Sequence, residues 1–155
     1  MIYICEDFLS KEQCDQLVKF YKSNINDTFQ YRDTFPLSLL NLSNDLMDEI
    51  NSKVESICKK MFSDQKIKID NYEIVKWPEG SFQDAHYDGD DVCAVIIYLN
   101  DDFVGGKTCF NVYDTIKITP ETGKCVIFSN SKHLHWVEKI FSGFRYTLAY
   151  WFVKD

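Results

Sequence analysis

No window of this chain approaches 18 consecutive apolar residues, and the opening MIYICEDFLSKEQ has no basic start followed by a long apolar run. Neither a membrane-spanning helix nor a secretory leader is expected, so the expected setting is a reducing compartment such as the cytoplasm. Runs of Lys or Arg are also missing, and the formal net charge is -7. Nucleic acid and an anionic membrane surface are therefore disfavoured partners, because neither phosphates nor lipid headgroups would be neutralised. The six cysteines, at 5, 14, 58, 93, 109 and 125, form no CxxC pair and no compact framework. They read as reduced, buried small hydrophobes. Internal repeats and low-complexity segments are lacking too.

What is present is the composition of an ordinary globular chain: 155 residues, 45% apolar and 26% charged. One domain spanning 1–155 is expected, since a chain this size hides about 70% of the surface its unfolded form exposes. In SKEQCDQLVKFYKSN, Ser10 and Gln13 have the spacing of a capping box, and Cys14, Leu17, Val18 and Tyr21 recur at helical intervals. A second amphipathic helix is predicted from about Asn44 to Met61, with Leu46, Ile50, Val54, Ile57, Cys58 and Met61 on one face. The helices thus occupy about 10–62.

From about 66 to 153 the texture changes to short runs rich in β-branched and aromatic residues, about seven of them, separated by turn residues. The predicted class is mainly β with flanking helices (α+β), two N-terminal helices packing on a sandwich or open barrel. Residues 22–43, centred on Phe35-Pro36, read as an irregular excursion.

The stretch HYDGDD (86–91) holds one of only three histidines. On a strand, residues i and i+2 share a face, so His86 and Asp88 converge while Tyr87 points away. A calcium loop fails on spacing. With Asp84 at its first position, Val95 falls where the bidentate Glu belongs, and a histidine suits a hard cation poorly. A plain turn stays open until a third ligand is found. Only His133 and His135 are available to complete a His-Asp-His set, and strand alternation does not choose between them. Two histidines and one carboxylate with three open positions form the facial triad that suits non-haem iron(II).

Five features, in order, carry a resemblance to a known family: WPEGSFQDAHYDG, VIIYLNDDFVGGKTCF with its double glycine, PETGKCVIF, His135, and SGFRY with a Trp-Phe close behind. Together they resemble the iron(II)- and 2-oxoglutarate-dependent dioxygenases, in particular the prolyl 4-hydroxylase-like branch. The match runs from Tyr72 to Phe152, and FLSKEQCDQL resembles that branch's N-terminal helix. The resemblance implies a double-stranded β-helix core of the jelly-roll, cupin-like kind.

It also implies His86, Asp88 and His135 as the metal ligands, because the distal histidine of that family precedes a basic residue by about ten positions, and His135 to Arg145 has that interval. His133 is then a packing histidine or one that supports a ligand. Arg145 is implied as the clamp for the far carboxylate of 2-oxoglutarate, a role that suits a planar guanidinium. Tyr98 and Thr108 are implied to add hydroxyls at the same end. The cofactors implied are Fe(II), 2-oxoglutarate and O2, with ascorbate as reductant.

The implied reaction is hydroxylation of a substrate C–H bond coupled to conversion of 2-oxoglutarate to succinate and CO2, with a prolyl residue of a peptide or protein as the leading substrate. Alternatives are a free amino acid or other small molecule, or a barrel that binds metal without turnover. Two positions depart from the branch: Gln83 stands where an aromatic residue is common, and Trp77 where a tyrosine is. Ile96, Phe128 and Trp151 are expected at the pocket or in the core. Asp90 and Asp91 are expected in a solvated turn at its mouth.

Overall fold

A computed structural model describes residues 1–42 and 44–155. Ser10 caps the first helix, α1 (Lys11–Ser23), accepting from the Gln13 amide while the Gln13 side chain accepts from the Ser10 amide, so two orphan donors are satisfied reciprocally. The Asn44 side chain accepts from the Leu46 amide to begin α2 (Asp45–Met61), which carries Asp45 and Asp48 in its first turn and Lys59 and Lys60 in its last, the arrangement a helix dipole favours. The buried stripe of α2 is Met47, Ile50, Val54 and Cys58. Leu46, Ile57 and Met61 are only partly buried, so the inward face is rotated slightly from the sequence expectation.

Twelve strands follow the chain among the described residues: β1 (Ile2–Cys5), β2 (Phe35–Ser38), β3 (Ile67–Trp77), β4 (Gln83–His86), β5 (Cys93–Tyr98), β6 (Val104–Gly105), β7 (Thr108–Asn111), β8 (Thr115–Ile118), β9 (Cys125–Phe128), β10 (Leu134–Val137), β11 (Ile140–Ser142) and β12 (Arg145–Lys154). All seven expected strands are there. The excursion at 22–43 is more regular than expected: a short 3-10 turn at Ile25–Asp27, a tight hairpin closed by paired bonds between Tyr31 and Thr34, and then β2. Ser43 lies outside the described residues.

The strands form a major sheet, ordered β1-β9-β5-β12-β3-β2, a minor sheet, ordered β4-β10-β7-β8, and a small β6-β11 pair, all antiparallel. This is the jelly-roll arrangement expected of the chain. Alternation along each major-sheet strand divides its residues between two environments. Ile74, Val95, Ile97, Cys125, Ile127, Leu148 and Phe152 pack against both helices, joined by Cys14, Leu17, Tyr21, Ile50, Val54 and Cys58. The opposite face, with Ala94, Tyr98, Val126 and Phe128, meets Phe110 and Ile118 of the minor sheet. Burying this many apolar side chains, at about 1.5–3 kcal/mol each, is what holds the layers together. Five of the six cysteines are buried and all are free thiols, as expected. No helix among the described residues is long and apolar enough to cross a membrane.

Candidate active site

The two sheets bring together three side chains that are distant in sequence. His86 ends β4 and is the Cα partner of His135 on β10, which sets their rings 4.3 Å apart between centroids. Asp88 lies two residues beyond the end of β4. Its Oδ1 is 3.1 Å from His86 Nε2 and its Oδ2 is 3.4 Å from His135 Nε2. One ligand atom from each of the three residues falls within 4.8 Å of the others.

Both imidazoles are oriented by backbone. His86 Nδ1 donates to the Asp84 carbonyl at 2.7 Å, and His135 Nδ1 donates to the His133 carbonyl at 2.9 Å. This pattern assigns the proton to Nδ1 in each ring and turns both Nε2 atoms toward Asp88, as a metal ligand requires. Burial alone would raise the Asp88 carboxyl, but when His135 and His86 also carry a proton at Nε2 they donate to it, outweigh burial and hold the group well below the usual carboxylate range. His86 is pushed up, mainly by Asp88. An anion is thus pinned between two imidazoles, a donor set of the kind that holds a divalent transition metal on one face.

His133 does not enter this cluster. Its Nε2 lies 2.7 Å from the Met1 nitrogen, and it reaches the site only through the carbonyl that orients His135. Tyr87 is 57% exposed and faces away, as expected.

Arg145 opens β12 and is 1% exposed. Its Nη2 donates to Thr108 Oγ1 at 3.0 Å, and the Tyr98 hydroxyl donates to the same oxygen at 2.6 Å. Thr108 accepts both bonds, so its own hydrogen is free for a further acceptor. The guanidinium carbon lies 4.7 Å from the Trp77 ring centroid and 5.4 Å from that of Tyr98. No carboxylate among the described residues pairs with it, and its Nε is buried without a partner. A buried, unpaired guanidinium in a cavity is poised to receive an anion, and its flat fork fits a carboxylate.

The sequence comparison agrees with this chemistry. Residues 68–153, more than half of the chain, match the 2OG-Fe(II) oxygenase superfamily. The chain belongs to that superfamily. It is similar to prolyl hydroxylases in sequence and in fold. Prolyl 3-hydroxylase 2 of Homo sapiens is 34% identical over 67 residues, covering 40% of this chain and 10% of the relative. Prolyl 3-hydroxylase 1 of Gallus gallus is 37% identical over 67 residues, covering 40% and 9%. The chain spans about a tenth of the length of these curated relatives.

Among solved structures, a Pseudomonas putida prolyl-4-hydroxylase superposes with a TM-score of 0.87 at 15% identity, covering 99% of this chain and 92% of that one. The viral collagen prolyl hydroxylase of Paramecium Bursaria Chlorella virus-1, in its 2OG complex, gives 0.84 at 20% identity, covering 99% and 96%. A Trichoplax adhaerens prolyl hydroxylase in complex with a hypoxia inducible factor oxygen degradation domain peptide fragment gives 0.83 at 16%, covering 99% and 83%. These likenesses show the shared fold.

In this oxygenase the His-Asp-His cluster and Arg145 line one cavity of about 100 Å³ between the sheets. Ile96, Phe128 and Trp151 line it, as does Gln83. Asp90 and Asp91 do not; they belong to a turn in which the Asp91 amide donates to the Asp88 carbonyl at 3.3 Å. Sequence reasoning marked Trp77 only as a departure from the branch. It is the Cα partner of Arg145 across β3 and β12, and its ring covers the guanidinium. That role needed the strand register, which the sequence alone does not supply. Tyr31, Arg32 and Pro36, from the segment read as irregular, form another wall of the cavity.

Proposed function

We propose that the chain hydroxylates a prolyl residue in a peptide or protein, with Fe(II) held by His86, Asp88 and His135 and 2-oxoglutarate held by Arg145, Thr108 and Tyr98. When bound, iron with 2-oxoglutarate and O2 supplies the oxidising step: the keto acid becomes succinate and CO2, and a substrate C–H bond gains a hydroxyl. The rest of the work falls to the protein. The Asp84 and His133 carbonyls hold the two imidazoles in the ligating tautomer. Arg145 receives the far carboxylate of the keto acid, Thr108 directs its free hydroxyl hydrogen there, and Tyr98 keeps Thr108 oriented.

The apolar walls formed by Val75, Ile96, Val137 and Phe128 exclude water from the reacting centre. Ascorbate would serve as the reductant that keeps the bound metal ferrous. A single observation carries this reading: a His-Asp-His cluster shares its cavity with a buried guanidinium that no carboxylate among the described residues pairs with.

The test is direct. Under argon, Fe(II) and 2-oxoglutarate should together produce a visible metal-to-ligand charge-transfer band. In air, succinate should form faster with prolyl peptides, with a mass gain of one oxygen on the peptide. A protein that gives the band and never forms succinate would instead be a binding barrel. Oxygen appearing only on free amino acids would make it a small-molecule hydroxylase.

A further inference from the structure

The inward face of β3 carries Trp77, Val75 and then Glu73, all lining the cavity. Two of these suit a buried strand face; the third is a carboxylate. In register, Glu73 sits between Ser38 of β2 and Ala149 of β12, neither of which can neutralise it. No ion pair reaches it among the described residues. Lys76, also on β3, lies over the Phe144 ring, and Arg32, which lines the same cavity, lies over the Tyr31 ring; neither forms an ion pair with Glu73. Burial pushes the Glu73 carboxyl up, and only the Asn71 amide favours its charge. The flanking strands do not require an acid here, since Ala149 and Val75 would pack against any small apolar side chain.

The cavity is electrically divided. Arg145 pairs in register with Trp77 and Ala149 with Glu73, so the backbone positions that carry the guanidinium and the carboxylate stand four residues apart along the sheet, about 13 Å at strand spacing. An anionic keto acid is drawn to the Arg145 end and repelled from the Glu73 end. The remainder of the cavity, whose lining includes Glu73, Tyr31, Arg32, Pro36 and Trp151, is left for the other reactant.

We infer that Glu73 is a specificity-determining residue that receives a positively charged group of the substrate, an ammonium or guanidinium, inside the pocket. The inference rests on the hydroxylase reading of this cavity and narrows its substrate to cation-bearing compounds. Two sources supply that chemistry: a Lys or Arg side chain beside the reacting residue of a peptide, or the amine of a free amino acid.

The experiment measures binding and turnover separately, using wild type, Glu73→Gln and Glu73→Lys. The probes are a prolyl peptide flanked by Lys, the same peptide with acetyl-lysine, and free proline beside N-acetylproline. Binding is followed calorimetrically with metal and 2-oxoglutarate present under argon; turnover is followed as succinate. Wild type should favour the cationic member of one pair by on the order of 10- to 100-fold, the range of a charge-assisted hydrogen bond. Glu73→Gln should erase that preference while leaving the charge-transfer band intact, and Glu73→Lys should reverse it.

Preference within the peptide pair identifies a basic residue, and preference within the proline pair identifies a free amine. Equal affinity for charged and neutral members in wild type overturns the inference, as does a preference that survives Glu73→Gln. Loss of the band in Glu73→Gln also overturns it, because the residue would then be structural. Charge-selective binding with no turnover on any probe leaves the role of Glu73 standing and sinks the hydroxylase reading.

Discussion

Thr108 Oγ1 lies 3.0 Å from Arg145 Nη2 and accepts its hydrogen bond, while Nε of the same buried guanidinium has no partner among the described residues. A cation buried against two ring faces with no carboxylate beside it is costly to the protein, and a bound anion offsets that cost.

Arg145→Met should therefore leave the ligand-free protein no less stable than wild type. Its response to ligand should change sharply. With divalent metal and 2-oxoglutarate at about 100 times the dissociation constant, linkage gives wild type about 2.7 kcal/mol, or roughly 5–10 °C in Tm for a chain of this size. Thermal melts of Arg145→Met should show that shift abolished while metal binding persists. An undiminished shift would mean the keto acid binds elsewhere.

Thr108→Val keeps the shape and removes the acceptor shared by Tyr98 and Arg145. Two buried donors lose their partner, at about 1–3 kcal/mol each. The expected outcome is a lower denaturation midpoint together with about tenfold weaker 2-oxoglutarate binding, both read from the charge-transfer titration and urea melts. Weaker binding without any loss of stability would mean the two donors find other partners.

Asp88→Ala should weaken iron binding by more than about 100-fold, since even residues that merely orient a ligand are worth 10- to 100-fold. His135→Ala should do the same. His133→Ala should retain iron, because its contribution is a backbone carbonyl that alanine also provides. Anaerobic iron titration of the three variants separates these outcomes, and the reverse order for the two histidines would contradict the assignment.

The double glycine has a spatial meaning. A side chain at Gly105 would run into the Lys139 carbonyl oxygen, and one at Gly106, where φ is +65°, would press on Ile140 and come within 3.0 Å of Arg145 Cδ. Gly106→Ala should cost about 1–2 kcal/mol from the backbone alone. By displacing the guanidinium, it should also reduce affinity for 2-oxoglutarate more than affinity for iron. Equal losses for both would show general damage instead.

The interior of the fold was legible in the sequence, and its margins were less so. The strands read from pattern lie largely in the middle of the two sheets, where burial imposes a clear apolar texture. The strands not foreseen include β1 and β2, the two edges of the major sheet, β8 at an edge of the minor sheet, and the short β6-β11 pair. An edge strand has half the partners and a weaker pattern, and β2 contains Pro36, which an edge tolerates because one side of its backbone need not donate.

The site was legible because histidine is scarce and its intervals to Asp88 and Arg145 are distinctive. Strand alternation is the sequence reason for placing His86 beside Asp88; the two do lie together, but β4 ends at His86 and the turn after it, not the pleat, places Asp88. Trp77 and Glu73 were opaque for a different reason: each acquires its neighbour only through the β3-β12 register.

That register also bears on how the molecule reaches its native state. β12 lies between β3 and β5 in the middle of the major sheet, pairing Ile67 with Lys154 and Arg145 with Trp77. Such sequence-distant pairing closes long loops before it gains contacts, which places folding in the slow, millisecond-to-second regime. Collapse around α1 and α2 can precede it, but the anion receptor does not exist until β12 has been inserted. In a refolding experiment, recovery of 2-oxoglutarate binding should lag behind recovery of helical signal, and the interval between them times the closure of the sheet.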